Sequence, residues 1–170
     1  FDGGRMPADL LLLHQGVVPN VNLAIAAGAE HVWNERQLCF MPVVDANFAS
    51  SLTGIAIAGD GAGIAGGTAA AERGRIAAIA AVRSQKPAAS LPDVAVIRQR
   101  LQREERGRAF LDALGRPADT FRRPDGDTLA CRCEEVTARQ VRDMVRMGCE
   151  GPNQMKAFLR CGMGPCQGRL

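Results

Sequence analysis

The sequence predicts an α/β unit followed by a small all-α module built around cysteines, and three observations carry that prediction. A nearly continuous apolar run, Ala8-Asp9-Leu10-Leu11-Leu12-Leu13-His14, suits a buried parallel strand. A second strand of small residues, Ile55 to Ala58, runs into the turn Gly59-Asp60-Gly61-Ala62-Gly63, and an Ala-rich helical stretch follows from about Thr68 to Val82. Near the end stand two close cysteine pairs, Cys131 with Cys133 and Cys161 with Cys166, separated by two short helical patterns. Two tight thiolate pairs held apart by a folded spacer are what a four-thiolate metal or iron–sulfur site needs.

Composition narrows the classes. At 170 residues the chain is long enough for a real core, and its scarcity of aromatics (4%) favours packed helices and glycine turns over an aromatic-rich sandwich. A net charge of +3, with arginines alternating with carboxylates, excludes a nucleic-acid stripe. No apolar run approaches the roughly 20 residues of a membrane span. No basic segment followed by an apolar core opens the chain, so no signal peptide is read. The six cysteines cluster toward the C-terminus of a chain without a secretion signal, which points to cytoplasmic metal or redox use rather than secreted disulfides. The chain begins at Phe1 without an initiator Met and reads as a piece of a longer protein.

Three segments are expected: 1–84, 85–128 and 129–170. In the first, Gln15 to Asn20 forms a loop punctuated by Gly16 and Pro19, and Val21 to Ala29 a short helix ending near Gly28. His14 and His31 stand apart from other ligand-type residues and read as polar residues at strand and loop ends. Cys39 to Asp45 is a strand and turn, with Cys39 a packed small apolar residue. The second segment, a helical connector, starts a helix at Pro92-Asp93. Val94, Ile97 and Leu101 form an apolar stripe that Phe110, Leu111 and Leu114 continue, while Arg98 to Arg108 lies on a solvated face with local ion pairs.

Gly61, Gly63 and Gly66 satisfy the formal G-x-G-x-x-G pattern. A first Rossmann turn also requires a second strand and an acidic residue about 20 positions on. Here the helix leads into the linker Arg83 to Pro92, so the fingerprint is rejected while an anion-favouring helix start is retained. The string TGIAIAGDGAGIAGGTAAAERGRIAA resembles the second flavin motif of two-dinucleotide-binding-domain flavoproteins of the glutathione reductase-like family. LLLLHQGVVPN resembles their crossing from the NAD-type domain back to the FAD domain. The resemblance implies FAD bound at Gly59, Asp60, Gly61 and Ala62, with Asp60 accepting a ribityl hydroxyl hydrogen bond and the glycines allowing close backbone approach.

In the cysteine module, Thr137 and Gln140 form a capping-box signal, and the helix they start faces Val141, Met144 and Val145 inward before closing at Gly148. Pro152 begins a second helix with Met155, Phe158 and Leu159 inward, and Pro165 can open a third near Cys166. Seven basic and four acidic side chains over 129–170 would offset much of the charge of about −2 on an oxidised four-thiolate Fe₂S₂ core; Arg132, Arg139, Arg160 and Arg169 surround the cysteines. Cys149 is the spare, read as a small buried residue. Zinc competes, although zinc sites ordinarily use C-x₂₋₄-C spacings. CRCEEVT and CGMGPCQGR resemble the bacterioferritin-associated ferredoxin-like 2Fe–2S domain, which implies a cluster ligated by Cys131, Cys133, Cys161 and Cys166.

The order of flavin motif, connector and cluster module resembles the A or alpha subunits of opine oxidases (octopine and nopaline dehydrogenases), the B subunit of hydrogen cyanide synthase and related proline dehydrogenase subunits. The resemblance implies an electron-transfer subunit of an FAD-dependent amine or amino-acid dehydrogenase. FAD and a 2Fe–2S cluster would be its cofactors, with NAD(P) a further candidate. A second, beta-type flavoprotein subunit would be its partner in a hetero-oligomer that passes electrons to an acceptor. It further implies a cytoplasmic protein, peripheral to the inner face of the membrane at most. No residue reads as a catalytic acid, base or nucleophile. Two alternatives stand beside this reading: an NAD(P)H-dependent reductase with an appended cluster, and a non-enzymatic 2Fe–2S interaction module.

Overall fold

The computed structural model describes residues 7–10, 12 and 17–167. Leu11, Leu13, His14, Gln15, Gly16 and Arg169 lie outside the described residues, as do the first six, and most of the expected first strand falls there. The chain divides into two compact units, with the boundary between Arg116 and Pro117.

The first unit opens with helix α1 (Asn22–Ala26), shorter than the expected Val21–Ala29, and the chain reverses at Gly28, where φ is +85°. Strands β1 (His31–Asn34) and β2 (Cys39–Pro42) follow as an antiparallel pair. Their turn is set by Asn34, whose Oδ1 accepts from the N–H groups of Arg36 and Gln37 at 3.0 and 2.9 Å, an Asx turn. Trp33 and Phe40, opposite each other in the register, meet edge to face with centroids 5.2 Å apart. Ile55–Ala58 does not form the expected strand. Ala56 makes only an isolated antiparallel bridge to Ala49. A buried parallel strand needs neighbours to satisfy its backbone, and the pairings among the described residues are all antiparallel.

Past a 3₁₀ turn at Gly59–Ala62, helix α2 (Gly67–Gln85) and helix α3 (Val94–Glu104) build the core. Ala69, Ile76 and Ile79 of α2 pack with Ile97 and Leu101 of α3, with Phe48, Ala65, Leu91 and Val94 at the margin. Asp93 caps α3, its Oδ1 accepting from the Ala95 N–H at 2.8 Å. The expected connector is therefore split, because α3 completes the core of the first unit. The stripe also stops early. Gly107 takes φ +81° and starts a new helix, α4 (Arg108–Leu114), and the break leaves Phe110, Leu111 and Leu114 exposed instead of continuing the α3 face.

The second unit begins with the short helix α5 (Asp119–Arg122), followed by β3 (Leu129–Cys131) and β4 (Val136–Thr137). This module, expected to be all-α, thus carries a small antiparallel hairpin. The extended lead-in to Cys131 finds a partner because Glu135, at φ +54°, helps turn the intervening loop back. Helix α6 (Ala138–Arg146) starts with the capping box as expected, Thr137 and Gln140 bonding reciprocally. It stops before Gly148, where φ is +100°. Helix α7 (Pro152–Leu159) has its proline in the first turn. Val145 and Phe158, expected inward, are exposed. Around Cys166 the described chain forms turns as far as Gln167. No helix among the described residues is long and apolar enough to cross a membrane.

Candidate functional site

The cysteine module delivers its sulfurs from two loops. Cys131 ends β3 and is buried, while Cys133, two residues on in the hairpin loop, is exposed. Cys161 follows Arg160, a left-handed residue (φ +57°) that closes α7, and Cys166 lies in the next turn; both are half-buried.

Contacts between the loops pair a sulfur of one with a sulfur of the other. Cys131 and Cys161 lie close enough for their side chains to influence each other, and so do Cys133 and Cys166. The Gly162 N–H donates to the Cys131 Sγ at 3.4 Å. Gly164, buried against the hairpin loop, is required there, since a Cβ would overlap the Cys133 Cβ and lie 3.3 Å from its Sγ. Arg160 and Glu134 add an ion pair between the loops, Nε to Oε2 at 3.0 Å.

This environment acts differently on each sulfur. The Gly162 N–H, with those of Glu134 and Cys133 and a bond from Cys161, draws the Cys131 thiol below its ordinary pKa despite burial. At Cys133 the Cys166 N–H pulls downward. The hydrogen bond with the Cys166 thiol, burial and the neighbouring Cys166 and Cys131 charges push upward and prevail. Burial first, then the Cys131 charge and its hydrogen bond, raise Cys161. The same pair of loops thus favours the charged form at Cys131 and disfavours it at Cys133 and Cys161.

Among the described residues, no group of three or more His, Cys, Asp or Glu side chains is gathered as a metal site. The four sulfurs come from two loops and influence one another across them, a donor set that either a tetrahedral ion or a binuclear cluster could use. Cys149 is buried and donates to the Gly151 carbonyl at 3.5 Å. Among the described members of the expected basic surround, Arg139 is engaged with Asp127 while Arg160 ties the loops.

The glycine turn belongs to the first unit. Gly59 has φ +68° and a Cβ there would come 3.7 Å from that of Ala70. The Asp60 carbonyl accepts from the Gly63 N–H at 3.0 Å, and the Asp60 side chain is exposed. Gly61 and Ala62 complete the 3₁₀ turn. At Gly63, φ is +121° and a Cβ would press on Met41 at 3.1 Å. The turn is thus a tight backbone feature ahead of α2 with an outward carboxylate.

Relatives add a second line of observation. No model of a known protein family matches the chain, and no solved structure gives a significant match. The opine oxidase A subunit of Agrobacterium tumefaciens (strain Ach5) is 48% identical over 169 residues, covering 97% of this chain and 34% of that protein. The chain is a homologue of part of the opine oxidase A subunit. A Rhizobium meliloti protein of the same name is 50% identical over 97% of the chain and 32% of its own length. More distantly, the hydrogen cyanide synthase subunit HcnB of Pseudomonas protegens is 30% identical over 98% of the chain and 36% of its own length. The expected resemblance to these two kinds of protein is borne out. The chain spans about a third of the length of these curated relatives.

Sequence reasoning missed two residues that hold the cysteine loops together. Gly164 and Glu134 stood inside motifs already singled out, but their role depends on how the two loops meet.

Proposed function

We propose that the chain is part of an electron-transfer subunit of an FAD-dependent amine or amino-acid dehydrogenase that acts on a donor of the opine, glycine or proline type. One observation carries the reading: four cysteines brought into two cross-loop pairs, in a chain nearly half identical to an opine oxidase component. The first unit is read as a piece of a two-dinucleotide-binding-domain flavoprotein of the glutathione reductase-like type. The parallel neighbours its strands lack would come from the remainder of a longer chain. The second unit is read as the bacterioferritin-associated ferredoxin-like 2Fe–2S module.

FAD supplies two-electron oxidation of a C–N bond, and a 2Fe–2S cluster supplies one-electron carriage. The residues of this chain bind and orient. Asp60 would accept a ribityl hydroxyl hydrogen bond, and the Gly59, Gly61 and Ala62 backbone would lie against the flavin. Cys131 with Cys161, and Cys133 with Cys166, would hold the cluster, the Gly162 N–H stabilising thiolate charge at Cys131. No side chain of the chain is assigned as a catalytic acid or base, and the resemblance to the opine oxidase A subunits implies that substrate is oxidised at a flavin, commonly on a second, beta-type subunit of a hetero-oligomer. The protein is placed in the cytoplasm or at the inner face of the membrane, and NAD(P) remains a candidate for the second nucleotide domain.

The test is anaerobic purification of the full-length protein with flavin, iron and sulfide analysis and EPR of the reduced sample. One flavin with two irons and two sulfides is expected. Absence of iron and sulfide, or cluster content unchanged in the Cys161→Ser, Cys166→Ser double variant, would refute the cluster assignment. Bleaching of the flavin by an opine, glycine or proline supports the dehydrogenase. Rapid bleaching by NADH alone assigns the protein to the reductases instead.

A further inference from the structure

Beneath the glycine turn lies a polar network that neither the flavin reading nor the core explains. Arg73 of α2 donates from Nη1 to the Gly63 carbonyl at 2.6 Å, with the Gly59 carbonyl at the limit of reach, 3.5 Å. Its Nε and Nη2 both bond Glu105 Oε1, at 3.1 and 2.6 Å, at the end of α3. Its guanidinium carbon lies 6.0 Å from the centre of the Phe48 ring, and its side chain is only 14% exposed. Gln37, from the β1–β2 turn, donates from Nε2 to the Ile64 carbonyl at 2.9 Å and to the Asp112 carboxylate of α4 at 3.1 Å. Asp112, 5% exposed, is held in turn by Arg108.

Both partners of Gln37 Nε2 are acceptors, which fixes the amide orientation and leaves the buried Oε1 without a partner among the described residues. Gln37 Nε2 holds the Ile64 carbonyl in place. Two successive carbonyls, Gly63 and Ile64, are therefore each taken by a half-buried side chain from a different element. Those side chains are themselves fixed by Glu105 and Asp112. Gly63 sits at φ +121°, which few residues other than glycine adopt.

We propose that Arg73 and Gln37 are positioning residues for the flavin turn, with Glu105 and Asp112 setting them from α3 and α4. The stretch 94–114 is then a support of the cofactor site and not a spacer. This rests on the reading of Gly59–Ala62 as a flavin turn.

The experiment uses the full-length protein and compares wild type with Arg73→Met, Arg73→Lys, Gln37→Leu and Glu105→Gln. Amide hydrogen exchange across 59–66 is read beside flavin retention and the flavin midpoint potential. Arg73→Met is expected to speed exchange at 59–66 about tenfold, the size of one lost charged hydrogen bond. Exchange in the middle of α2 and α3 should stay unchanged. Flavin retention should weaken by a similar factor with a shifted potential, and Arg73→Lys should recover part of both. Gln37→Leu and Glu105→Gln should give smaller changes of the same sign. Unchanged exchange at 59–66 in Arg73→Met overturns the brace. Faster exchange with flavin affinity and potential unaltered overturns its positioning role. A wild type that holds no flavin refutes the flavin reading and with it the positioning role, while the exchange comparison still decides whether the brace exists.

Discussion

The two units are held together by different means. The first has a shared apolar cluster, in which α2 and α3 bury Ala69, Ile76, Ile79, Ile97 and Leu101. The second buries Cys131, Val136, Ala138 and Cys149 among its described residues, so half of its buried apolar set is sulfur. Its order comes from a capping box, a short hairpin and the meeting of two cysteine loops. A core this small contributes only a few kcal/mol. The contrast teaches that one unit is ordered by packed hydrocarbon while the other leans on a cap, a hairpin and the fit of two loops.

The sharpest way to break this comparison is to treat the full-length protein by chelation and oxidation, which would remove the proposed cluster. Helices α6 and α7 are expected to lose exchange protection cooperatively while α2 and α3 keep theirs. Equal loss in both units would show that the second unit does not depend on its sulfurs. Next in size, Gly164→Ala should abolish most iron and sulfide binding, because the new Cβ displaces Cys133; analysis of metal content checks this, and full loading would remove the role given to the glycine. Ile76→Ala should cost about 3 kcal/mol in the first unit, the usual penalty for a large-to-small core change. Denaturant unfolding should report it with the cluster spectrum unchanged at low denaturant. Thr137→Ala should cost about 1 kcal/mol by removing a cap, felt only in α6; a loss spread equally over α2 would contradict the separation of the units.

The elements with their own local signals were legible in the sequence. The Ala-rich α2, the Pro92-Asp93 start of α3 and the Thr137–Gln140 box each depend on residues within one or two turns. Strand β2 was legible, but its partner His31–Asn34 was not, because four residues with two polar ends give no alternation to read. Phe110, Leu111 and Leu114 misled, since a single left-handed glycine at 107 broke the helix they were expected to extend. The cysteine set was legible from spacing and resemblance. That Cys131 meets Cys161 and Cys133 meets Cys166 was not, because it depends on the fit between two loops nearly thirty residues apart. The brace of Arg73 and Gln37 was hidden for the same reason: its partners are backbone carbonyls, which every sequence has.

The seam between the cysteine loops has a consequence for ionic strength. It combines an uncharged steric fit, Gly164 against Cys133, with the Arg160–Glu134 pair, whose arginine is 64% exposed. An exposed pair contributes at most about 1 kcal/mol and is screened within roughly 8 Å at physiological salt. Saturating salt should therefore loosen the loops by no more than about fivefold, because the glycine contact carries no charge to screen. Closure of the sulfur site is governed by shape, and changes in the ionic medium leave it largely unaltered.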